Sequence, residues 1–418
     1  MSKKEKSVII IGAGIAGLTA AKFLKQFGFS VKVFEASDGV GGRVRTFKKD
    51  GFLMDKGFQV LLGAYPLAKE ILDYDALKLK PFLSGAKVFH ANGVHNVVDP
   101  LRQPSGLLET LFSPIGNLKD KLLMLKLKLA LKSKTVDQIF KEKEQSTLQF
   151  LNQYGFSERM ITVFFKPFLG GIFLEKELTT SSRMFNFVFK MFGEGEALLP
   201  EDGIQAIPNQ LAKDLKANEL FLNTRVAHIN KDEITLEDGT TFKANDILIA
   251  TNELNLPSFK IKQSGQHRKV LNLYFKTKTK PFNEALIGLV AKPNCLVNNV
   301  AVLNNICDNF STSDHYLVSI SIIEYNFNIS LDDIIKKSKD ELSFWFKTTD
   351  WEYLESFEID YALPNQDSVK YMPDEEDFII DTNLYKCGDY LTNGSLNAAM
   401  LNGKMVAELI YRNKLNIN

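Results

Sequence analysis

Gly12, Gly14 and Gly17 stand at G-x-G-x-x-G spacing immediately after the β-branched run Ser7-Val-Ile-Ile-Ile11. A run of that kind followed at once by those glycines must turn sharply from strand into helix. Gly12 permits the tight turn, Gly14 lets backbone approach a pyrophosphate, and Gly17 lets the helix pack closely on the strand. The N-terminus of the helix offers unpaired N–H groups to phosphate charge. A helix-patterned segment then leads to a second short strand, Val31-Lys-Val-Phe34, which ends in Glu35. A carboxylate at that point accepts hydrogen bonds from ribose hydroxyls. Strand, turn, helix, strand and acid in this order predict a unit that holds a dinucleotide.

Gly39-Val-Gly-Gly-Arg-Val-Arg45 follows directly and adds a second glycine-rich turn with two guanidinium groups. Gly41 and Gly42 allow backbone to pass close to a ligand, and Arg43 has the fork that grips a phosphate. Near the other end, Tyr385-Lys-Cys-Gly-Asp389 is followed by Asn393-Gly-Ser-Leu-Asn-Ala-Ala399. On these residues the chain resembles the superfamily of flavin-containing amine oxidases, phytoene desaturases and protoporphyrinogen oxidases, whose cofactor is FAD. The resemblance implies cofactor contacts from Gly12, Gly14, Ala16, Gly17, Glu35, Ala36, Gly41, Gly42, Arg43, Val226, Thr251, Gly388, Asp389, Ser395 and Leu396. Asp389 would meet the ribityl or pyrophosphate region, and the last helix would point its N-terminus at the flavin pyrimidine edge. FAD is expected to be noncovalent, because Cys387 precedes Gly388-Asp389 without the family's linkage motif.

At 418 residues and 45% hydrophobic content the chain can bury a large core. A net charge of +1 argues against a general attraction for nucleic acid. The odd cysteine count (Cys295, Cys307, Cys387) offers neither a disulfide framework nor a paired metal spacing, and suits a reducing compartment. His90 and His95 flank an Asn92-Gly93 turn and the other histidines are scattered, so no metal site is expected. Met1–Lys6 and the apolar run after it imitate a secretory signal, but that run carries the three fingerprint glycines and no small-residue cleavage pattern. No uninterrupted apolar stretch reaches the ~18 residues of a spanning helix. The expected location is cytoplasmic, with peripheral membrane contact left open.

The rest of the chain divides into alternating territories. Glu233 to Ala250 reads as strand, Asp238-Gly239 turn, strand, and then Asp246-Ile-Leu-Ile-Ala250 leading to Thr251. By the resemblance, this stretch returns the chain to the cofactor, and Thr224-Arg-Val226 sits where backbone meets adenine. Two insertions lie between: a hairpin at Ala86–Val98 followed by mostly helical, phenylalanine-rich sequence, and a second that alternates strands such as Lys269–Phe275 and Tyr316–Ile323 with helix. The expected fold is α/β: a Rossmann-like FAD-binding domain from residues 1–83, 194–257 and 357–418, with an interleaved α+β substrate domain from 84–193 and 258–356. Most of the 32 phenylalanines are accounted for by core packing. A few are candidates for lining an apolar tunnel.

A flavin enzyme of this kind needs position, dryness and electrostatics from its protein. No nucleophile elbow and no second G-x-G-x-x-G are present, so reoxidation falls to oxygen, a quinone or another diffusible acceptor. Amine-oxidising relatives carry a lysine at the head of a substrate-domain strand that holds a water near the flavin. Lys269 heads Lys-Val-Leu-Asn-Leu-Tyr-Phe275 at a similar distance and is the one catalytic candidate, set against a plain solvated strand-end lysine. Phe168-Leu-Gly-Gly-Ile-Phe173 with Arg183 reads more like the carotenoid and tetrapyrrole branch. The expectation is therefore dehydrogenation of an apolar small molecule, isoprenoid or polycyclic. Amine oxidation, a non-redox flavin isomerase or mutase, and a flavin-binding assembly protein stand as alternatives. Asn117–Lys134 carries six lysines against the single acid Asp120, with leucines between. It reads either as a helix packed on the substrate domain with snorkelling lysines, or as a basic amphipathic helix at anionic lipid.

Overall fold

The computed structural model describes residues 6–99, 102–103, 107–251, 255–256, 259–260, 267–325 and 329–415. Its first strand, Ser7–Ile11, is buried from Val8 onward. A strand apolar on both faces belongs in the middle of a parallel sheet, and this one has parallel neighbours on each side. Ser30–Phe34 pairs with it on one side and Asp246–Ile249 on the other. Leu220–Phe221 extends the sheet beyond Ser30–Phe34, while Leu384–Lys386 and the antiparallel Ile379–Asp381 extend it beyond Asp246–Ile249. The chain leaves the first strand toward one side and later returns on the other. That reversal opens a crevice at the carboxyl ends of the two central strands, the usual ligand position in such sheets.

The helix Ile15–Gln26 packs against the C-terminal helix Leu396–Leu415. The crossing is close enough that a Cβ on Gly403 would lie 2.3 Å from the Ala16 carbonyl oxygen. The opposite face of the sheet is covered by a small antiparallel sheet, Val226–Asn230, Glu233–Leu236 and Thr241–Lys243. Phe34 stacks on Phe221 there, with ring centroids 4.8 Å apart, and meets Phe242 at 4.9 Å.

A second sheet has seven strands. Glu352–Pro364, His267–Thr277, Tyr316–Ile323, Val297–Val302, Ile287–Val290, Gly85–His90 and Gly93–Val98 follow one another across it. Both insertions contribute: the hairpin Gly85–Val98 joins by a parallel pairing of Gly85–His90 with Ile287–Val290. Glu352–Pro364 pairs with His267–Thr277 out to His267–Pro364, and so runs through the 356/357 division expected from the sequence. Side-chain alternation gives the sheet two faces. Leu271, Leu273, Phe275, Ile320 and Ile322 pack against Ile334 and Leu342 of the helix Leu331–Phe346. From the other face, Tyr274 donates its hydroxyl to the Asp55 carbonyl at 2.9 Å.

A helical layer completes the molecule: Leu118–Lys132, Val136–Phe140, Thr147–Tyr154, Glu158–Met160, a π-helical turn Ile161–Phe165, Lys166–Phe173 and Ser182–Glu194. Phe165, Phe185 and Phe187 are fully buried in it, as the core-packing reading of the phenylalanines expects. Arg183 ties the layer together, donating from Nε to the Glu142 carbonyl at 2.7 Å and pairing with Glu144 at 3.2 Å.

Candidate FAD site

The fingerprint turn is governed by backbone contact. Gly12 has φ +103°, and a Cβ there would lie 2.9 Å from the Ala250 oxygen and 3.3 Å from Thr251 Cβ. The turn is therefore pressed against the strand end that carries Thr251. A Cβ on Gly17 would lie 2.2 Å from the Gly12 oxygen. Gly14 is different, because nothing lies within 4 Å of the Cβ it lacks. Gly14 is also the N-cap of Ile15–Gln26, and no side chain caps that end. Open space, uncapped N–H groups and the positive end of the helix dipole meet at one place.

The second glycine turn folds back on the first. Gly41 donates its N–H to the Ala13 carbonyl at 2.8 Å, and a Cβ on Gly42 would be 3.5 Å from Gly14 Cα. Glu35 reaches the same turn from the second strand. Its Oε2 accepts the Ala13 N–H at 2.8 Å, and its Oε1 accepts from the Ser37 N–H and hydroxyl at 2.9 and 2.7 Å. A carboxylate offers about four acceptor sites, so Glu35 braces the loop and keeps capacity for a hydroxyl. Ala36 is exposed beside it. Thr224 and Asn223 donate N–H groups to the carbonyls of Glu35 and Ser37 at 2.8 and 2.9 Å, which brings the Val226 segment alongside.

The C-terminal motif arrives from the far side of the sheet. Cys387 donates its N–H to the Ile249 carbonyl at 2.9 Å. Two residues on, the nearly buried Asp389 pairs with Arg43 at 2.6 Å, joining positions 346 residues apart. Arg43 also donates to the Ala362 carbonyl at 3.0 Å and lies over the Tyr361 ring, 5.3 Å from its centroid. The guanidinium expected to grip a phosphate thus uses one N–H on each of two protein oxygens, those of Asp389 and Ala362. Ser395 opens the last helix by accepting the Ala398 N–H at 3.0 Å, with Leu396 half-buried next to it.

Four residues that hold this arrangement were not singled out from the sequence. Buried Asn402 donates to the Gly388 carbonyl at 2.6 Å, Gln59 donates to the Arg43 carbonyl at 2.8 Å, Tyr361 underlies Arg43, and Gly403 permits the helix crossing. Asn402-Gly403 did leave a signal: two weak helix formers in the middle of a long helix mark a place where something else must approach.

Lys269 lies at a bulge opposite the segment that holds Arg43 and forms a 2.5 Å ion pair with exposed Asp360. Next to it, Val270, Ile323 and Ile359 form a buried apolar cluster with Leu174 and Ala362 packed on it. This cluster meets the nucleotide-binding side at Gly57, where a Cβ would lie 2.8 Å from Ile359 Cδ1.

Residues 15–411 match the profile of the family described as flavin containing amine oxidoreductase. The chain belongs to that family. Its cofactor is FAD. The chain is 30% identical over 169 residues to protoporphyrinogen oxidase 2 of Arabidopsis thaliana, covering 40% of this chain and 32% of that one. It is 27% identical over 269 residues to a flavin-containing monoamine oxidase A of Dictyostelium discoideum, covering 58% and 56%. These matches thus span between a third and just over half of the relatives' lengths. An oxidoreductase structure from Methanosarcina mazei superposes with a TM-score of 0.76 at 17% identity, over 96% of this chain and all of that one. That likeness confirms the α/β, Rossmann-like fold. The residues present fit FAD: nothing lies within 4 Å of the Cβ that Gly14 lacks, which leaves room for a pyrophosphate, and no side chain caps the helix end whose N–H groups would donate to it.

Proposed function

We propose that this family member is an oxidoreductase that dehydrogenates an apolar small molecule, isoprenoid-like or polycyclic. The observation that carries the reading is the apolar cluster that Val270, Ile323, Ile359 and Ala362 of the seven-stranded sheet form with Leu174, on the strand segment whose Tyr361 and Ala362 hold Arg43. A substrate space bounded by these side chains would favour a substrate without charge, since an ion there would lose its hydration with no partner. Bound FAD supplies the two-electron acceptor for a hydride equivalent from a substrate C–H bond. Gly12, Gly14, Ala16 and Gly17 with Gly41 and Gly42 would cradle its pyrophosphate. Glu35, Ala36 and Val226 would serve the adenosine end, and Arg43, Thr251, Gly388, Asp389, Ser395 and Leu396 the flavin end.

In this reading residues 1–83, 194–257 and 357–418 hold FAD, and 84–193 and 258–356 receive the substrate, with the strand Glu352–Pro364 shared between them. Burial pushes the Cys387 thiol far above its ordinary pKa, which keeps it protonated and a poor nucleophile. That supports noncovalent FAD. Oxygen, a quinone or another diffusible molecule would take the electrons onward. An apolar substrate also favours contact with lipid.

Acid precipitation of the yellow protein should leave intact FAD in the supernatant. Under anaerobic conditions an apolar polyene or a reduced tetrapyrrole should bleach the flavin, and primary amines and NADH should not. Bleaching by amines alone would overturn the reading in favour of amine oxidation. Lys269 would then be the residue to assign to the chemistry, as the holder of a water.

A further inference from the structure

The helix Leu118–Lys132 has two apolar faces. One points inward, where Leu127 and Leu131 are buried with Leu123 and Met124 packed beside them. The other points into water: Leu118, Leu122, Leu125 and Leu129 are all exposed, Leu122 by 68%. At steps of four, three and four residues they form one stripe roughly 60° wide on a helix of 3.6 residues per turn. Leu111 and Phe112 continue it, Phe112 at 79% exposure. They are held near the start of the helix by Lys121, whose ammonium donates to the Leu111 and Ser113 carbonyls.

Lysines flank this stripe on both sides. Lys119 and Lys126 lie along one edge and Lys121, Lys128 and Lys132 along the other, by the same helical geometry. Between Ser113 and Val136 the one acidic residue is Asp120, and it is buried. Its carboxylate accepts the Asn117 N–H at 2.8 Å, the Ser157 N–H at 2.8 Å and the Ser157 hydroxyl at 2.7 Å. At the other end, buried Lys190 donates to the Leu131 carbonyl at 3.1 Å, and Lys128 pairs with Asp99. The helix is thus anchored at both ends while its outer face is leucine, where a surface helix ordinarily carries polar residues.

We propose that this stripe is a docking surface for an anionic bilayer, with the helix lying in the plane of the interface. Charge complementarity decides the occupant. The stripe is about one leucine wide with cations on each side and no exposed acid in that span. Protein interfaces deplete lysine, whereas at a lipid surface lysine stems snorkel and their ammonium groups meet phosphates while leucines enter the acyl boundary. The inference does not depend on which substrate is oxidised.

Co-sedimentation of the FAD-loaded full chain with vesicles tests it, comparing mixed phosphatidylglycerol–phosphatidylcholine with phosphatidylcholine alone at low and high salt. Wild type should pellet with the anionic vesicles, weakly with the neutral ones, and less at high salt. Leu122→Ser/Leu129→Ser should cut anionic binding by about tenfold or more. Lys119→Gln/Lys126→Gln/Lys132→Gln should lower binding and flatten its salt dependence. All of these side chains are exposed, so flavin content and melting temperature should match wild type in both variants. Absence of wild type from the anionic pellet at low salt would overturn the proposal. So would equal binding by the leucine variant. A lipid-free dimer that dissociates on Leu122→Ser would give the stripe to a second copy of the chain instead.

Discussion

Around the fingerprint turn, atoms of the backbone touch one another; in the seven-stranded sheet, side chains do. A methyl group on Gly17 would sit 2.2 Å from the Gly12 carbonyl oxygen, and one on Gly403 2.3 Å from that of Ala16. In the sheet, the core of Leu271, Leu273, Ile320 and Ile322 against the helix Leu331–Phe346 is made of aliphatic side chains that can exchange volume among neighbours. The first kind of packing tolerates no change at particular positions. The second tolerates many changes provided pattern and total volume survive. The turn is therefore fixed atom by atom, whereas the sheet is fixed only by pattern and volume.

The sharpest way to break that contrast is by single methyl groups. Gly17→Ala and Gly403→Ala should each destabilise the protein by about 3 kcal/mol or more and deplete FAD, measured by thermal unfolding and flavin content. Gly14→Val should melt near wild type when stripped of cofactor yet fail to retain FAD, because its side chain enters open space that the ligand needs. An apo-protein melting temperature as low as that of Gly17→Ala would show that Gly14 is structural.

Asp55 joins the two regions and gives the next largest effect. It is buried, accepts from Thr46 and from the Ile204 N–H, and offers its backbone carbonyl to Tyr274. Burial pushes its carboxyl up to about 6, against hydrogen bonds from Thr46 and Ile204 that lower it. The folded chain thus holds a proton that the unfolded chain gives up between about pH 4 and 6. The associated stability is present below the ordinary carboxyl pKa and lost as pH rises through about 6, by up to about 3 kcal/mol. Asp55→Asn should remove that slope from a pH series of denaturant melts. An unchanged slope would assign it to other groups.

Arg43→Ala tests whether the link across 346 residues serves the cofactor or the fold. It leaves Asp389 nearly buried without its cation, so FAD retention should fall about tenfold. Because Arg43 itself is partly exposed, stability should fall by only about 1–2 kcal/mol. A stability loss with unchanged FAD affinity would make the pair a structural clamp. Smallest of all, Lys269→Met removes an exposed ion pair and should change stability by less than ~0.5 kcal/mol. With an apolar substrate, anaerobic reduction and reoxidation rates should match wild type, and a slowed half-reaction would bring Lys269 into the chemistry.

The nucleotide-binding half was legible because its requirements are local. Gly12, Gly14, Gly17 and Glu35 act within about thirty residues of chain, and each has a backbone reason to be what it is. That the Gly388-Asp389 strand end and the helix after it come together with the first turn was legible because they repeat a recognisable pattern. The partner of Arg43 was not, since a guanidinium reads equally well as a grip on phosphate or on carboxylate. The leucines of Leu118–Lys132 posed a similar ambiguity. Their spacing shows that apolar residues surround much of the helix, but not which of them a neighbour covers.

By itself the sequence determined the strand–turn–helix that receives a dinucleotide, the return of the chain through Asp246–Ile249, and the type of most elements. Those follow from backbone conformations and side-chain periods that neighbouring residues impose on one another. Only the tertiary structure decided that Arg43 meets Asp389, that Glu352–Pro364 runs on as one strand of the seven-stranded sheet, and that Leu122 faces water while Leu127 faces the core. Each of these depends on which distant segment arrives first at a given surface. Burial, unlike helical or strand period, is a property of the assembled molecule.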